Sequence, residues 1–566
     1  MANDSAKLGV GEFRGPGKGV KVNVVRAIRD LETPHGRTIT LAFLSRQLPA
    51  QLLSEQLAQC LHSETGTPVA LVRLTADGGH SSCKGQPAVN LTLDGNFQLS
   101  QECLPSADGF SLFNLILAEE SHPPGWIEAL LEQLRRRFFH VLIEAVAEEL
   151  PAPVLFEFLR RSNRGYLFVR ASNEDVYHMD LLVRELRPPG ADESVQLKPV
   201  LCLGNEELVD GYDTLIQRVV GPIEAFIRGC PRFPGHDARP AGSYHADIRR
   251  LGREIGGCLL GLALSSGAAK GLSQIGVIQV LEENGIDVDV VAGSSMGAYI
   301  GAIWNSGKDG VQLEAIARDM ESHWAFWSLI DPAFPPRQGF VRGFAVKRRL
   351  MRSIGHVRFA ELQRPLRVLA ANLETLERTV FASGEVASAV HASIAVPGIC
   401  VPVKLNGESY VDGGIVDPLP VDVLREMGVS RIIAVNAIPT PDRIRYCLQA
   451  ERELAQLSPR RAREVVRKWL PLETKLNYFA RGNILEILMR SIHGAQIRIA
   501  ESLGRQADIV LRPQICDDRW LDFRDPGRFI HAGRQIAERY LDEIKALVAR
   551  KTVKHETAVE PMVEVA

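Results

Sequence analysis

A serine framed by glycines, Gly293-Ser294-Ser295-Met296-Gly297, follows the run Val288 to Val291, and small and apolar residues at helical spacing come next (Ala298, Ile300, Gly301, Ala302, Ile303). Strand, sharp turn and helix is the setting in which a serine hydroxyl does nucleophilic chemistry. Gly293 and Gly297 leave room for a strained backbone, and Ser295 stands at the end of a sheet and at the positive end of a helix. The spacing predicts Ser295 as a nucleophile. With 48 glycines in the chain such a pentapeptide also arises by chance, so its meaning rests on what the rest of the chain supplies.

Two further stretches could complete such a site. Leu259 to Leu264 reads as a strand, and Ser265-Ser266-Gly267-Ala268-Ala269-Lys270-Gly271 follows, entering a helix with Ile275, Ile278 and Leu281 that stops at Asn284-Gly285. A loop of small residues entering a helix offers bare backbone N–H groups and the helix dipole to a developing oxyanion. Lys270 puts a cation where the dipole disfavours one, which points to a role other than helix stability. Far downstream, Tyr410-Val411-Asp412-Gly413-Gly414 reads as a strand delivering a carboxylate at a turn. An Asp-Gly-Gly sequence is a common plain turn, and it gains another meaning where a serine needs a base.

The loop Ser266 to Gly271, the elbow Gly293 to Gly297 and Asp412-Gly413-Gly414, in this order, resemble the patatin-like phospholipase family, as does His391-Ala392-Ser393-Ile394-Ala395-Val396-Pro397-Gly398 with Pro402 beyond it. The resemblance spans about residues 257 to 545, and the two-part layout is similar to the long bacterial relatives of neuropathy target esterase. It implies a Ser-Asp dyad without histidine. Ser295 attacks an ester carbonyl, Asp412 takes its proton, and the N–H groups of Gly267 and Ala268 hold the oxyanion. Lys270, Gly271, Gly293, Gly297, Gly413 and Gly414 are implied as supporting residues. The family's loop usually opens with consecutive glycines, whereas Ser266 and Ala268 here flank a single Gly267. Of the histidines, His493 and His531 sit in helical-looking stretches and are expected, with His323, His356 and His391, to be packing or surface residues.

These elements belong to the second part of a chain of 566 residues, too long for one hydrophobic core. The fold class expected is α/β. A patatin-like three-layer α/β/α hydrolase domain over 257–550 follows an N-terminal Rossmann-like α/β domain over 21–229. Residues 1–20 and 551–566 are expected to be disordered, and 230–256, rich in Pro and Gly, to be the linker. The N-terminal alternation of strands and helices runs through Thr38–Phe43, Pro49–Leu61, Pro68–Leu74, Trp126–Arg137, Phe139–Ala145, Gly165–Arg170, Val176–Leu186 and Pro199–Leu203. It implies a mostly parallel sheet covered on both faces. This half resembles the degenerate nucleotide-hydrolase-like region that precedes the catalytic domain in some long patatin-like proteins. After Phe43, however, Leu44-Ser45-Arg46-Gln47-Leu48-Pro49 holds neither the glycine nor the lysine a phosphate cradle uses. An interaction or regulatory module with a protein partner is expected there rather than an ATPase. Gly15-Pro16-Gly17-Lys18-Gly19 fails as a phosphate loop because no strand precedes it.

Composition narrows the rest. A net charge of -2 gives no nucleic-acid signal. The nine cysteines are scattered with no Cys-x-x-Cys pair, which reads as reduced thiols and no metal site; no cofactor is expected. Met1 to Lys7 lacks a secretory apolar core, and no window is long and apolar enough to span a membrane. A cytoplasmic protein, free or on the inner face of a membrane, is the expectation. Peripheral contact has two candidates. Trp324, Phe326, Trp327 and Phe334 between His323 and Pro336 read either as a lid or acyl-chain wall or as loop packing, with Arg337, Arg342, Lys347, Arg348, Arg349 and Arg352 following as a basic cluster suited to lipid head groups. Arg460 to Leu470 reads as an interfacial helix or a solvated face. The function expected is hydrolysis of phospholipid or lysophospholipid esters, with a weakly catalytic lipid-binding scaffold and an acyltransferase as alternatives.

Overall fold

A computed structural model describes residues 36–75, 89–91, 109–117, 125–187, 196–204, 211–221, 223, 225–231, 242–321, 328–446, 449, 484–515, 523 and 525–549. The expected disordered ends, Trp324, Phe326 and Trp327, and the stretch Arg460 to Leu470 lie outside the described residues.

Runs of Val, Leu, Ile and Phe with no polar face make strands that must be covered on both sides. Eight of them form the first sheet: β1 (Arg37–Phe43), β2 (Val69–Thr75), β3 (Val89–Leu91), β4 (Phe110–Ile116), β5 (His140–Val146), β6 (Arg164–Arg170), β7 (Leu197–Leu203) and β8 (Ala225–Arg228). They run in the order β3-β4-β2-β5-β1-β6-β7-β8, and every pair is parallel. Alternate residues feed opposite cores. Leu41 and Phe43 join Leu142 and Phe168 on one face, while Ala42 and Leu44 join Val141, Ile143 and Val169 on the other. At the turn after β1 three backbone amides are already committed. Leu44 N–H donates to the Phe168 carbonyl at 3.1 Å, Gln47 N–H to Ser45 Oγ at 3.1 Å and Leu48 N–H to the Ser45 carbonyl at 3.1 Å. Amides so engaged cannot cradle a phosphate.

The expected linker 230–256 needs correction. Most of it is the helix Gly242–Ile255, whose Tyr244, Ile248, Leu251 and Ile255 are buried in the core of the first sheet. Pro and Gly punctuation is confined to its approach, and the apolar spacing 244, 248, 251, 255 is that of a helix face packed on a sheet. Asp247 is paired with Arg228 of β8 at 2.6 Å, and Glu254 accepts from Tyr166 at 3.1 Å and Lys198 at 2.8 Å.

The second sheet holds β9 (Leu260–Leu264), β10 (Val290–Ser294), β11 (Leu366–Asn372), β12 (Arg378–Phe381), β13 (Val403–Leu405), β14 (Glu408–Asp412), β15 (Arg431–Val435) and β16 (Ile509–Leu511). Its order is β13-β14-β11-β10-β9-β15-β16, with β12 also on β11. β9, β10, β11, β15 and β16 are mutually parallel; β12 and β14 run antiparallel to β11. Leu262, Leu264, Val291 and Val368 face one layer of helices, and Ala263, Val290, Ala292 and Leu369 face the other. The result is the three-layer α/β/α arrangement.

On the first of these faces, helix Ser273–Glu283 crosses helix Pro526–Arg539 at backbone contact. A Cβ on Gly276 would lie 2.0 Å from the Ile530 carbonyl oxygen, and one on Gly533 would lie 1.8 Å from that of Ser273. Read from the sequence, Gly533 to Arg550 is one helix; the structure has two, Pro526–Arg539 and Leu541–Ala549. The first starts earlier, where the Asp525 side chain accepts from Arg528 N–H at 3.4 Å and Pro526 occupies the first turn. Gly533→Ala is expected to destabilise the chain by about 2 kcal/mol or more, because the backbones must separate. Gly494→Ala, on a helix with nothing within 4 Å of the new Cβ, is the matched control and should be neutral or slightly stabilising; urea unfolding midpoints that move together would contradict the crossing.

Candidate functional site

β10 stops at Ser294, and Ser295 takes φ 54 and ψ -116 before helix Met296–Asn305 begins. A side-chain-bearing residue in that region costs on the order of 1–3 kcal/mol, held only where the surroundings over-determine it. The surroundings here are backbone. A Cβ on Gly293 would lie 2.6 Å from Gly297 and Ala298 backbone atoms, and one on Gly297 would lie 2.2 Å from the Leu264 carbonyl oxygen. Only glycine lets the helix start fold back over β10 and β9. The strained amide is itself anchored, with Ser295 N–H donating to Ser393 Oγ at 2.9 Å.

Asp412 ends β14, paired across from Ala370 of β11, while Ser294 pairs with Leu369 on the other side of the same strand. The two groups thus reach over β11 from opposite flanks. Gly413 makes this turn possible, since a Cβ there would lie 2.2 Å from the Leu369 carbonyl oxygen. Ser295 Oγ donates to Asp412 Oδ2 at 2.5 Å across 117 positions of sequence. The other carboxylate oxygen accepts Gly414 N–H at 2.7 Å, and Asp412 N–H donates to the Ala395 carbonyl at 2.9 Å.

Burial pushes the Asp412 carboxyl up to about 6, with the Ser295 hydroxyl and the Gly414 amide restraining the rise. No cation among the described residues contributes to that balance, which leaves a carboxylate that is ionised at neutral pH and still basic enough to accept a proton. Three of the candidate histidines bond elsewhere, His356 Nδ1 facing Glu385 at 3.4 Å, His391 Nε2 the Arg342 carbonyl at 3.2 Å and His531 Nε2 Gln535 at 3.0 Å, and His323 lies outside the described residues.

The third piece leaves β9 and turns at Gly267 (φ 156) and Ala268 (φ 46). Its flanks are tied down. Ser266 N–H donates to the Pro418 carbonyl at 2.9 Å, Ser265 Oγ accepts Ala437 N–H at 2.9 Å, and Gln274 Nε2 donates to the Ser265 carbonyl at 2.7 Å. Gly267 and Ala268 are half-buried, and no acceptor among the described residues takes either N–H. A tight 3-10 turn, Ala268–Leu272, precedes the helix, so Lys270 lies inside that turn. There Lys270 adds to burial in lowering the basicity of His493. Gly271 lets the loop approach the elbow, since a Cβ would lie 2.5 Å from the Met296 side chain. Gly414 does the same on the other side, where a Cβ would lie 2.9 Å from Ser266. All three pieces therefore touch. Ser393 was named in the sequence only as part of a run; its role as acceptor for the elbow amide depends on a contact 98 residues away, which no local pattern signals. Among the described residues no group of three His, Cys, Asp or Glu side chains is placed to share a metal ion.

Residues 262–425 match the sequence profile of the patatin-like phospholipases, a span that contains the elbow, the acid and the amide loop. This part of the chain is a patatin-like phospholipase domain. Lysophospholipase NTE1 of Pyricularia oryzae is 26% identical over 345 residues, 60% of this chain and 21% of that protein. Lysophospholipase NTE1 of Saccharomyces cerevisiae is 27% identical over 296 residues, 52% of this chain and 17% of that one. The relative from Phaeosphaeria nodorum is 31% identical over 197 residues, 34% of this chain and 13% of its own length. The chain therefore spans about a fifth or less of the curated relatives it matches.

In the patatin-like domain the buried acid carries a stability cost that can be measured. Asp412 has a folded pKa of about 6, above the ~3.9 of an unfolded aspartate. Folding therefore favours its protonated form, and the penalty is full above pH 6 and vanishes as pH falls below about 4. Asp412→Asn, which keeps a polar group for Ser295 and Gly414, is expected to stabilise the protein by about 1–3 kcal/mol at pH 8, each pKa unit being worth ~1.4 kcal/mol. The gain should disappear near pH 4 in denaturant titrations. A gain independent of pH would show that charge burial is not its cause.

Proposed function

We propose that the chain is a serine acyl hydrolase acting on phospholipid or lysophospholipid esters. The observation that carries this reading is the 2.5 Å hydrogen bond from Ser295 Oγ to a buried Asp412 carboxylate whose basicity no cation among the described residues lowers. The patatin-like profile over the same residues and the lysophospholipase relatives support a lipid ester as substrate.

In this mechanism Asp412 Oδ2 takes the proton as Ser295 Oγ attacks the ester carbonyl carbon. The carbonyl oxygen becomes an oxyanion facing the Gly267 and Ala268 N–H groups, with donors that cost no reorganisation. Collapse breaks the ester C–O bond, and the proton held by Asp412 passes to the departing alcohol. Water then gives its proton to Asp412, its oxygen attacks the acyl-serine carbonyl, and the same proton returns to Ser295 Oγ as the fatty acid leaves. Histidine is not needed because the carboxyl itself titrates near the working pH.

A fluorophosphonate probe should label the parent chain and leave Ser295→Ala unlabelled. Fatty acid release from lysophosphatidylcholine should fall by about a thousandfold or more in Ser295→Ala and Asp412→Asn, the scale seen when a nucleophile or its base is removed. Because only the ionised carboxyl accepts a proton, kcat/KM should drop tenfold per pH unit below about 6, the folded value for Asp412. A parent that neither labels nor hydrolyses would leave the lipid-binding scaffold as the better reading.

A further inference from the structure

Beside the dyad a short hairpin carries the most exposed large apolar side chain among the described residues, Phe334 at 89%. Its arms pair at Pro332 and Val341, with Ala333 N–H on the Phe340 carbonyl at 2.8 Å. Its base is fixed to the segment that also holds the acid. Phe340 and Val341 N–H both donate to the Ile399 carbonyl, at 2.8 and 3.0 Å, and Val401 N–H donates to Val341 at 2.9 Å. The Gly339 backbone lies so close that a Cβ would sit 2.5 Å from Cys400. Four residues before Ile399, the Ala395 carbonyl takes the Asp412 amide. The tip, Phe334-Pro335-Pro336-Arg337-Gln338, is exposed throughout.

Along the chain around this tip, basic residues outnumber acids. From Ser328 to Gly355 the chain has six Arg or Lys and a single acid, Asp331, in a protein of net charge -2. Asp331 is consumed inside the hairpin, where it accepts Gly343 N–H at 2.8 Å and Ala345 N–H at 3.1 Å at the start of helix Phe344–Ile354. Lys347 is paired with Glu385, and Arg349 lies 3.9 Å from Asp319. Arg337, Arg342, Arg348 and Arg352 are exposed and form no ion pair among the described residues. Phe340 and Phe344, 38% and 54% exposed, stand among them.

We propose that this hairpin and the first turns of helix Phe344–Ile354 dock on the surface of an anionic phospholipid bilayer, Phe334 entering the acyl boundary and the arginines meeting the head groups. The inference rests on the reading of the site as one that acts on lipid esters. A lone protruding aromatic inside a cationic field suits insertion at head-group depth, whereas a protein partner would need a broad complementary face of roughly 1,000 Å² or more. The rigid base then sets the dyad at a fixed height above the lipid, so that a substrate need rise only partly from the bilayer.

The test uses the full chain with Ser295→Ala, so that vesicles stay intact, sedimented with phosphatidylcholine vesicles with and without phosphatidylglycerol. Binding is expected only with the anionic lipid and should weaken as salt is raised. Phe334→Asp should weaken it by about tenfold to a hundredfold, the range for losing one buried aromatic. Arg337→Glu with Arg348→Glu should weaken it at least as much, at about fivefold for each charge removed near the surface. Failure of the parent to bind, or equal binding by the variants, overturns the proposal. Phe334→Asp in the chain with Ser295 intact should also hydrolyse a soluble short-chain ester as the parent does, and a loss there would mean that the hairpin acts on the site's structure instead. A chain that binds through Phe334 yet hydrolyses no soluble ester keeps the docking surface and removes the hydrolase reading.

Discussion

A hydroxyl and a carboxylate that meet at 2.5 Å in a buried place, with no cation among the described residues acting on the carboxyl, are the constraint around which the patatin-like domain is arranged. An arginine beside Asp412 would have held its carboxyl well below the ordinary range and left it too weak a base. Full solvation would have done nearly the same. Only neutral donors, one hydroxyl and one amide, restrain the effect of burial here. The carboxylate therefore keeps its charge at neutral pH and its appetite for a proton. The cost falls on folding, in the charge taken out of water and in the φ of 54 at Ser295.

That geometry survives because it is enforced by close packing around glycines. Gly297 against Leu264, Gly413 against Leu369, Gly271 against Met296 and Gly414 against Ser266 are four approaches in which a Cβ would fall below 3 Å. Each joins two of the three pieces of the site or one piece to the sheet beneath it. Small departures in the loop, Ser266 and Ala268 around one Gly267, are accommodated because the contacts that matter are made by amides and by the glycines at its far end. Ala268 reaches its φ of 46 without glycine, which places strain on a residue of the loop proposed to hold the oxyanion.

Strands β1, β2, β5, β6, β7, β9 and β10 were legible because their apolar runs had no alternative use, and the elbow because glycine, serine and helix spacing coincided, whereas β4, β8, β11 and β15 went unread. What the sequence concealed is nonlocal. Tyr244, Ile248, Leu251 and Ile255 have helical spacing, yet Pro231, Pro234 and Pro240 before them read more strongly as linker. The start of helix Pro526–Arg539 was hidden because Asp525-Pro526 looks like a turn until its cap is seen. Ser393 gives no sign of its partner, since the hydrogen bond to Ser295 N–H exists only once helix Val386–Ser393 lies under the elbow.

That helix also joins the two sheets. At its beginning, Gly384 N–H donates to Asp213 of helix Tyr212–Val219 at 3.2 Å, Arg358 reaches the same carboxylate at 3.0 Å, and Ser383 Oγ donates to Gln217 at 2.5 Å. Asp213 is almost fully buried in doing so. At its other end, Ser393 takes the Ser295 amide, and just beyond it Ala395 takes the Asp412 amide. A short helix held at one end by the first unit and at the other by both members of the dyad has little freedom to turn without disturbing one of them. A buried carboxylate with an arginine partner is costly to separate, since breaking the pair leaves a charge stranded. The first unit, through helix Tyr212–Val219, is thus in direct contact with the turn that leads into the helix bearing Ser393, which gives it a structural part in the site that its own strand ends do not reveal.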